Sequence, residues 1–399
     1  MTNRQFAIPQ EFADQLRFRE ASDDRGSDEI LYSLFRYRPV TSEKNVWAFW
    51  HSGISAMPKW CQRNVVDWIR ILDRSWTVRV LDAVPTSANY MLHYVPADSL
   101  NEAMVKGTMA GLYSGPHSAD LLRGACLLHH GGVFMDVGCI LIRHLDRICW
   151  KQLGDPASPF QASTPLMYGL VMANHFVASR KGDPFIERWH KLFTHLWKDR
   201  TNFQGLGADP LLAFAQNASF DDSHASDFHW DFKVSAQDVY QYITQVICWQ
   251  RVCMLEDPND GFDGPEYWKN NILVWNVLQE NWGGEATVGF AGSGEKMFDL
   301  LSLRLDSDPE SPEYKEAYDL VWRLLTRSSM QKVTHGKDLT NSIHLGALWD
   351  ENPGMDCQPG TFAELLRYGT VHFEQTRESI VYVTAPAPPE ILKKGLLEP

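Results

Sequence analysis

One stretch of the chain, residues 117–138, constrains the fold more than any other. Its first part carries apolar residues at helical spacing, and Gly131-Gly132 then ends the helical pattern. A short apolar run, residues 133–135, is typical of a buried strand, and Asp136 stands directly after it. Ligands of open α/β sheets bind outside the carboxyl ends of the strands. The order of these elements therefore predicts an α/β fold with Asp136 at the ligand-binding edge of the sheet.

An earlier segment predicts a parallel pair of strands. Residues 45–50 and 76–81 are rich in strand-forming residues, and residues 58–72 between them show apolar residues at helical spacing. The order strand, helix, strand is typical of a βαβ unit, whose two strands run parallel. Residues 184–197 and 313–325 predict further helices.

The length and composition favour a single large domain. The chain has 399 residues, of which 44% are hydrophobic, and it contains fifteen tryptophans, so it can bury a sizeable core. No internal repeat or low-complexity linker divides it. We therefore predict an N-terminal helical arm over residues 1–40, one domain over residues 41–384, and a loose C-terminal tail over residues 385–399.

Charge and targeting signals restrict the partners and the compartment. The formal net charge of −13 disfavours broad electrostatic binding to nucleic acid or to an anionic membrane. The seven cysteines form no CxxC pair, which indicates free thiols in a reducing compartment. The first residues lack the apolar stretch of a signal peptide, and no run of eighteen apolar residues predicts a membrane span. These features predict a cytoplasmic protein and leave its oligomeric state open.

Three charged residues in this first stretch are candidate site residues. Asp136 could bind a divalent cation that also binds a substrate diphosphate, since Mg²⁺ takes one or two carboxylates together with phosphate oxygens. The alternative is that Asp136 caps a turn before Gly138. Asp120 and Arg123 are three residues apart on the predicted helix. They form either a surface ion pair of about 0.3–0.5 kcal/mol or a pair in which the forked guanidinium contacts a phosphate or ribose.

Histidine and tryptophan supply the remaining candidates. His335 and His344 follow a late helical segment, where a neutral imidazole could complete a metal shell or contact a diphosphate. The alternative for each is a hydrogen-bonded structural role. Trp47 and Trp50 lie in the first predicted strand, where they either stack on a base or sugar or pack in the core. The chain contains no GxSxG, P-loop, HExxH or dinucleotide-binding GxGxxG motif.

A family resemblance rests on the same stretch. Ser-Ala-Asp-Leu-Leu-Arg at residues 118–123, followed by Gly-Gly-Val-Phe-Met-Asp-Val-Gly at residues 131–138, resembles the capsular-polysaccharide-synthesis type of glycosyltransferase, close to glycosyltransferase family 32. Other segments agree with this family, the last two with its fungal branch: residues 46–50, 76–82, 202–212 and 359–377. The resemblance covers roughly residues 45–377.

The resemblance implies a GT-A fold, a Rossmann-like mixed sheet flanked by helices, here with added helices and a C-terminal extension. It implies that a sugar is moved, with retention and with the help of Mn²⁺ or Mg²⁺, from a nucleotide-diphosphate sugar to an acceptor. For the fungal branch, the acceptor is a small molecule of secondary metabolism. The catalytic residues would be Asp136, Asp120 and Arg123, and the metal ligands Asp136, His335 and His344. The nucleotide sugar would be bound by Trp47, Trp50, His51, Asp120, Arg123 and Gly138.

One position departs from the family pattern Asp-x-Asp, because Gly138 stands where the second aspartate is expected. The requirement for a metal is therefore open. Two other functions also stay open: a synthase that makes arginine-containing cyclodipeptides from aminoacyl-tRNA on the same scaffold, and a non-catalytic binding module. The synthase would need a basic surface for tRNA, which a net charge of −13 does not indicate, and its Asp-Asp-x-x-Glu signature is missing.

Overall fold

A mixed sheet of eight strands lies at the centre of the protein. The computed structural model describes residues 5–167, 171–216, 231–290 and 292–399. The strands are β1 (Leu16–Phe18), β2 (Asn45–Phe49), β3 (Thr77–Leu81), β4 (Gly132–Met135), β5 (Cys139–Leu141), β6 (Ala162–Met167), β7 (Val171–Met172), β8 (Phe176–Ser179), β9 (Leu255–Asp257), β10 (Phe262–Asp263), β11 (Ile272–Asn276), β12 (Met330–Lys332), β13 (Phe373–Gln375), β14 (Tyr382–Val383) and β15 (Leu392–Lys393).

Helices surround this sheet. They are α1 (Ser27–Ser33), α2 (Lys59–Ile71), α3 (Glu102–Val105), α4 (Ser114–His130), α5 (Lys151–Leu153), α6 (Pro184–Trp197), α7 (Ala236–Tyr242), α8 (Thr244–Met254), α9 (Gly264–Asn271), α10 (Val277–Glu280), α11 (Gly283–Val288), α12 (Ser293–Ser302), α13 (Pro312–Arg327), α14 (Leu345–Glu351) and α15 (Phe362–His372). The expected class, a mixed α/β sheet flanked by helices, is confirmed.

The strands of the central sheet follow the order β14-β11-β6-β8-β4-β2-β3, with β7 paired to β6. The pairs β2–β3, β2–β4 and β6–β11 are parallel. Strand β8 is antiparallel to both of its neighbours, β4 and β6. The predicted βαβ unit is present as β2, α2 and β3, in the register Asn45 opposite Thr77 to Phe49 opposite Leu81. Because β2 and β4 are parallel, the residues that follow them, Trp50 and Asp136, emerge at the same edge of the sheet.

Both faces of the sheet are buried, as expected when helices cover each side. Val46 and Val133 point to one face and join a core cluster that includes residues of α2, α13 and α15. Trp47 and Phe134, one position further along, point to the other face and join a cluster with residues of α4, α6 and α8. The alternation follows from the two-residue period of a strand.

The predicted helix before the Gly-Gly turn begins earlier than its sequence pattern indicates. Helix α4 starts at Ser114, so Ser118 lies inside it, and the Ser118 hydroxyl donates to the Ser114 carbonyl at 2.7 Å. The helix ends at Gly131, which has a φ of 68°. A Cβ at that position would lie 2.7 Å from the Lys181 backbone nitrogen. Glycine is therefore required both by the backbone conformation and by the close approach of a neighbouring segment.

A short pair of strands outside the main sheet brings a distant segment to its carboxyl edge. Strand β12 is antiparallel to β5, and Lys332 lies opposite Cys139. The pairing continues past the strands, since the Val333 N–H donates to the Gly138 carbonyl at 2.9 Å. Residues 332–334 therefore lie beside residues 136–138.

The two ends of the chain differ from the sequence expectation. Within residues 1–40, predicted as a helical arm, α1 is helical, but Leu16–Phe18 forms strand β1 and pairs with β13. Residues 385–399, predicted as a loose tail, include β15, which pairs with β9 and places Leu396 in the core. In both cases backbone pairing with a distant segment fixes residues that carry little local signal. No helix in the described part of the chain is both long and apolar enough to cross a membrane.

Candidate active site at the carboxyl edge of the sheet

A cleft of about 800 Å³ opens at the carboxyl edge of β2 and β4. All but one of the candidate residues predicted from the sequence line it: Trp50, His51, Asp120, Arg123, Asp136, Gly138, His335 and His344. The exception is Trp47. Its side chain is fully buried under α4, and its indole N–H donates to the Gly131 carbonyl at 2.9 Å. Trp47 belongs to the core because it lies in the middle of β2, whereas Trp50 follows the end of that strand.

Asp136 faces the cleft with both carboxylate oxygens paired. Its Oδ1 accepts from Arg123 Nη2 at 2.8 Å, and its Oδ2 accepts from Lys332 Nζ at 2.9 Å. The side chain is 28% exposed. Burial raises the pKa of Asp136, but Lys332 and Arg123 outweigh that effect and hold the pKa below its usual value. Asp136 is therefore an ionised carboxylate between two cations.

Lys332 is a largely buried cation that lines the cleft beside Asp136. Its ammonium donates to Asp136 and, at 2.8 Å, to the hydroxyl of Thr334. Burial lowers the pKa of Lys332, but attraction to Asp136 exceeds that effect and raises the pKa above its ordinary value. The side chain is 12% exposed and lines the cleft. It is thus a charged, largely desolvated ammonium group at the ligand-binding edge of the sheet.

Arg123 lies under the floor of the cleft, with a side chain that is 2% exposed. Its Nη1 donates to Asp120 at 2.7 Å and to Gln245 at 2.9 Å, and its guanidinium lies 4.7 Å from the ring centroid of Phe134. The predicted i, i+3 pair of Asp120 and Arg123 is therefore present, but it is buried. Because the Arg123 side chain is buried and bound to Asp136, it is suited to fixing the position of Asp136 rather than to contacting a ligand.

Asp120 belongs to the same buried network. Its Oδ1 also accepts from Asn174 at 3.0 Å, and its side chain is 12% exposed. Burial raises the pKa of Asp120 to about 6, against the opposing attraction of Arg123. At neutral pH the two aspartates and two cations of the network therefore nearly balance in charge.

The position of the missing second aspartate is occupied by another side chain. A Cβ on Gly138 would overlap Thr334 Oγ1 and would lie 3.1 Å from Thr334 Cγ2. Thr334 is held there by the pairing of β12 with β5. A carboxylate at residue 138 would therefore have no room, because Thr334 and Lys332 occupy the space beside Asp136.

His335 and His344 line the cleft together, with ring centroids 4.9 Å apart. The Nδ1 of His344 accepts from the Ala347 N–H at 3.0 Å and so caps the start of α14. Burial lowers the pKa of both imidazoles, that of His344 to about 3, so that both are neutral at pH 7. Asp136, His335 and His344 do not lie close enough together to share one metal ion.

The donor atoms at Asp136 do not fit a divalent cation. Mn²⁺ and Mg²⁺ need several oxygen or imidazole ligands around one point, whereas both oxygens of Asp136 bind protein cations. Among the described residues, one group of three His, Cys, Asp or Glu side chains is close enough to share an ion, namely Asp73, His144 and Asp146. That group lies near the amino end of β3, away from the cleft, and Asp146 also pairs with Lys44.

Several ionisable residues that line the cleft have no motif in the sequence, among them Lys332 and Glu285. Lys332 belongs to a strand of only three residues, which is too short for a pattern of apolar and polar residues to indicate which side chains face a cleft. Glu285 lies on α11, where burial raises its pKa to about 7 despite a hydrogen bond from Gln331. No local pattern singles out either residue: Lys332 stands in the mixed segment Ser-Met-Gln-Lys-Val-Thr-His, and Glu285 stands in Gly-Gly-Glu-Ala-Thr.

Comparisons with known proteins identify the class of enzyme. The protein "Probable glycosyltransferase FCK3" of Fusarium pseudograminearum is 54% identical over 98% of this chain and 99% of its own length. "O-glycosyltransferase braB" of Annulohypoxylon truncatum is 38% identical over 94% of this chain and 91% of its own. "O-glycosyltransferase PaGT" of Phomopsis amygdali is 37% identical over 92% and 91%, respectively. The chain is therefore a glycosyltransferase.

The family follows from the same comparisons. A family model described as "Capsular polysaccharide synthesis protein" matches residues 16–206. The chain belongs to the capsular polysaccharide synthesis family of glycosyltransferases, together with these fungal homologues, which confirms the resemblance found in the sequence. A solved structure, "PaToxG Glycosyltransferase", matches with a TM-score of 0.27 and 16% identity over 41% of this chain and 65% of that one, a similarity too weak to inform the site.

Proposed function

We propose that the protein transfers a sugar from a nucleotide-diphosphate sugar to a hydroxyl group of a small-molecule acceptor. The observation that carries this proposal is the Lys332–Asp136 pair, which presents a buried cation to a cleft at the carboxyl edge of parallel strands. A desolvated ammonium is suited to an anionic diphosphate, because the attraction is stronger there than in water. The names of two relatives, both O-glycosyltransferases, support an oxygen acceptor.

The apolar part of the cleft lining supports an acceptor with an apolar body. Its lining includes Met167, Trp282, Phe290 and Ile343, and the Ile343 side chain is 43% exposed. Binding clefts for small molecules are mostly apolar, with few polar groups that fix orientation. A polymeric glycan would instead need an extended polar groove, so this lining favours a small organic acceptor over a carbohydrate chain.

The resemblance to family 32 supports transfer with retention of the anomeric configuration, and we include retention in the proposal. The bond from C1 of the sugar to the diphosphate oxygen breaks with its electron pair on that oxygen, and the acceptor oxygen bonds to C1. The acceptor proton passes to the departing diphosphate, so no protein nucleophile takes part. Because the donor atoms at Asp136 do not fit Mn²⁺ or Mg²⁺, no step of this proposal passes through a metal ion.

The alternative of an arginine-containing cyclodipeptide synthase has less support. That reaction needs a surface for tRNA, and the chain carries a net charge of −13. The alternative of a non-catalytic module is disfavoured by the named relatives, which match nearly the whole chain and are all called glycosyltransferases.

A ligand screen followed by a product assay tests the proposal. Thermal unfolding is measured with UDP, GDP and ADP and with their common sugar conjugates. A nucleotide at one hundred times its Kd is expected to stabilise the fold by about 2.7 kcal/mol. The sugar conjugate that stabilises is then incubated with a panel of hydroxylated small molecules, and mass spectrometry detects a product heavier by one sugar. Proton NMR of that product gives the anomeric configuration, and inversion would contradict the retaining mechanism alone.

The control for this screen is Glu310→Gln, which changes a carboxylate that is 82% exposed and distant from the cleft. It should respond to each ligand as the unchanged protein does. If no nucleoside diphosphate or sugar conjugate stabilises the unchanged protein, the proposed function is wrong.

A further inference from the structure

We propose that the Lys332 ammonium, held by Asp136 and Thr334, takes the place of a divalent metal and neutralises the departing diphosphate directly. This inference rests on the proposed function, because it concerns how the same cleft binds its nucleotide. It assigns Lys332 as the catalytic cation, Asp136 and Thr334 as the groups that position it, and Arg123 as the group that positions Asp136. The transfer then proceeds without Mn²⁺ or Mg²⁺.

The Asp136 carboxylate is already bound by two protein cations. Oδ1 of Asp136 accepts from Arg123 at 2.8 Å and Oδ2 accepts from Lys332 at 2.9 Å. A metal ion at Asp136 would have to share an oxygen with one of these cations, and its two positive charges would lie close to both of them. That repulsion in a largely buried site is unfavourable, because it is weakly screened by solvent.

The space beside Gly138 is filled by another side chain. The family pattern places a second aspartate there, and two carboxylates would balance the charge of a divalent ion. In this chain Thr334 fills the space beside Gly138, and the Thr334 hydroxyl accepts a hydrogen bond from Lys332. Lys332 of β12 and its hydrogen-bond acceptor Thr334 therefore lie where the family pattern would place the second carboxylate.

The Lys332 ammonium is held in place and still faces the cleft. An ammonium has three N–H donors, and within the described residues Lys332 uses two of them, toward Asp136 and Thr334. The group lines the cleft, so its third donor is available to a phosphate oxygen. Asp136 and Thr334 fix its position before the ligand arrives, which removes the cost of ordering a flexible lysine on binding.

The chemistry balances without an added ion. When the bond from C1 of the sugar to the diphosphate breaks, negative charge grows on the β-phosphate oxygen that leaves. Lys332 donates a hydrogen bond to the diphosphate and stays protonated throughout. The proton of the acceptor hydroxyl passes to the leaving diphosphate, and the new bond joins the acceptor oxygen to C1.

Calorimetric titration with UDP and GDP tests the inference on binding alone. The unchanged protein is titrated once in EDTA and once in MnCl₂, and its Kd should agree within about twofold between the two. Lys332→Met, which keeps the length of the side chain and removes its charge, should weaken binding in both buffers by about tenfold to a hundredfold, the value of one charged hydrogen bond. Lys332→Arg should recover part of the affinity.

The matched control is Lys393→Ala, a lysine whose side chain is 76% exposed, and it should leave the Kd unchanged. Circular dichroism of each variant reports whether it has folded; if Lys332→Met does not fold, the comparison of EDTA with MnCl₂ on the unchanged protein still decides. Binding that is lost in EDTA and restored by MnCl₂ would overturn the inference and leave the proposed function intact, as would full affinity in a folded Lys332→Met protein. Absence of binding to any nucleoside diphosphate in either buffer would overturn both.

Discussion

At the scale of single residues, the site depends on charges that hold one another in place. Asp136, Lys332 and Arg123 lie within hydrogen-bonding distance in a largely buried network, and each removes the cost of burying its neighbour. Such a network stabilises the fold only while it is complete. Substitutions in it therefore affect stability and ligand binding together, and each must be tested for both.

Asp136→Asn is expected to destabilise the protein by about 3 kcal/mol, because Lys332 and Arg123 stay buried while the side chain that both of them bind loses its negative charge. Urea denaturation followed by circular dichroism measures this change. Glu310→Gln, on the surface, should stay within about 0.5 kcal/mol of the unchanged protein. If Asp136→Asn were as stable as that control, the carboxylate would not be balancing the two cations.

Gly138→Ala is expected to cost about 1–3 kcal/mol, because the new methyl group overlaps Thr334. Thr334→Ala removes the overlapping hydroxyl and methyl, so the double variant should recover most of that loss. A double-mutant cycle in urea then gives a coupling energy of at least about 1 kcal/mol. Additive effects of the two substitutions would mean that Thr334 does not fill the space beside residue 138.

Glu285 makes the stability depend on pH. Burial raises its pKa to about 7, so the folded state keeps a proton that the unfolded state has already lost. Its contribution is therefore fully present at acidic pH and is lost as the pH rises toward 7 and above. Glu285→Gln cannot ionise, so relative to the unchanged protein it should gain up to about 3 kcal/mol between pH 5 and pH 8. Urea denaturation at pH 5 and at pH 8 measures the free energy of unfolding of both proteins. The same difference between the two proteins at both pH values would contradict the raised pKa of Glu285.

At the scale of helices and strands, the sequence pattern predicted those elements whose formation depends on residues close together in the chain. The β2–α2–β3 unit follows from apolar periodicity, and its strands and helix lie within a residue or two of the predicted bounds. The ligand-binding edge followed from the position of Asp136 after β4. The sequence pattern could not predict that Trp47 is in the core and Trp50 lines the cleft. Burial depends on what covers each side chain: Trp47 lies within β2 under α4, whereas Trp50 follows the end of that strand.

Strand β12 shows where local patterns stop being informative. It has three residues, and its position depends on pairing with β5, which lies far away in the sequence. Lys332 reaches Asp136 through that pairing alone. Strands β1 and β15 at the two ends of the chain are fixed in the same way, by β13 and β9. Residues that complete a site across such pairings carry no motif of their own.

The C-terminal strand provides a test at this scale. Arg251 is 2% exposed, and its guanidinium donates to the carbonyls of Leu211, Leu396 and Glu398. Deletion of residues 392–399 removes two of these acceptors and should destabilise the protein by about 3 kcal/mol, because a buried charge loses its partners. None of the deleted residues lines the cleft. Calorimetric titration with the nucleoside diphosphate that binds the unchanged protein should therefore give an unchanged Kd below the lowered melting temperature, and a weaker Kd would mean that the C-terminal segment acts on the site.

At the scale of the whole molecule, charge separates the two reactions that the sequence left open. The net charge is −13, and Arg123 and Lys332 of the cleft are balanced by Asp120 and Asp136. A nucleotide sugar needs one local cation, whereas tRNA binding draws most of its free energy from many phosphate contacts and the counterions that they release. The distribution of charge therefore favours a small anionic donor.

We expect no complex between this protein and total tRNA in a mobility-shift assay at about 0.15 M salt, the range in which a protein with several phosphate contacts still binds. The nucleoside diphosphate selected in the thermal screen should bind the same preparation under the same conditions, which shows that the protein is folded and its cleft accessible. Lowering the salt should not produce a tRNA complex, because the repulsion between two polyanions grows as screening falls. A tRNA complex that strengthens at low salt would instead reveal a basic surface that outweighs the net charge, and would favour the aminoacyl-tRNA-dependent reaction over glycosyl transfer.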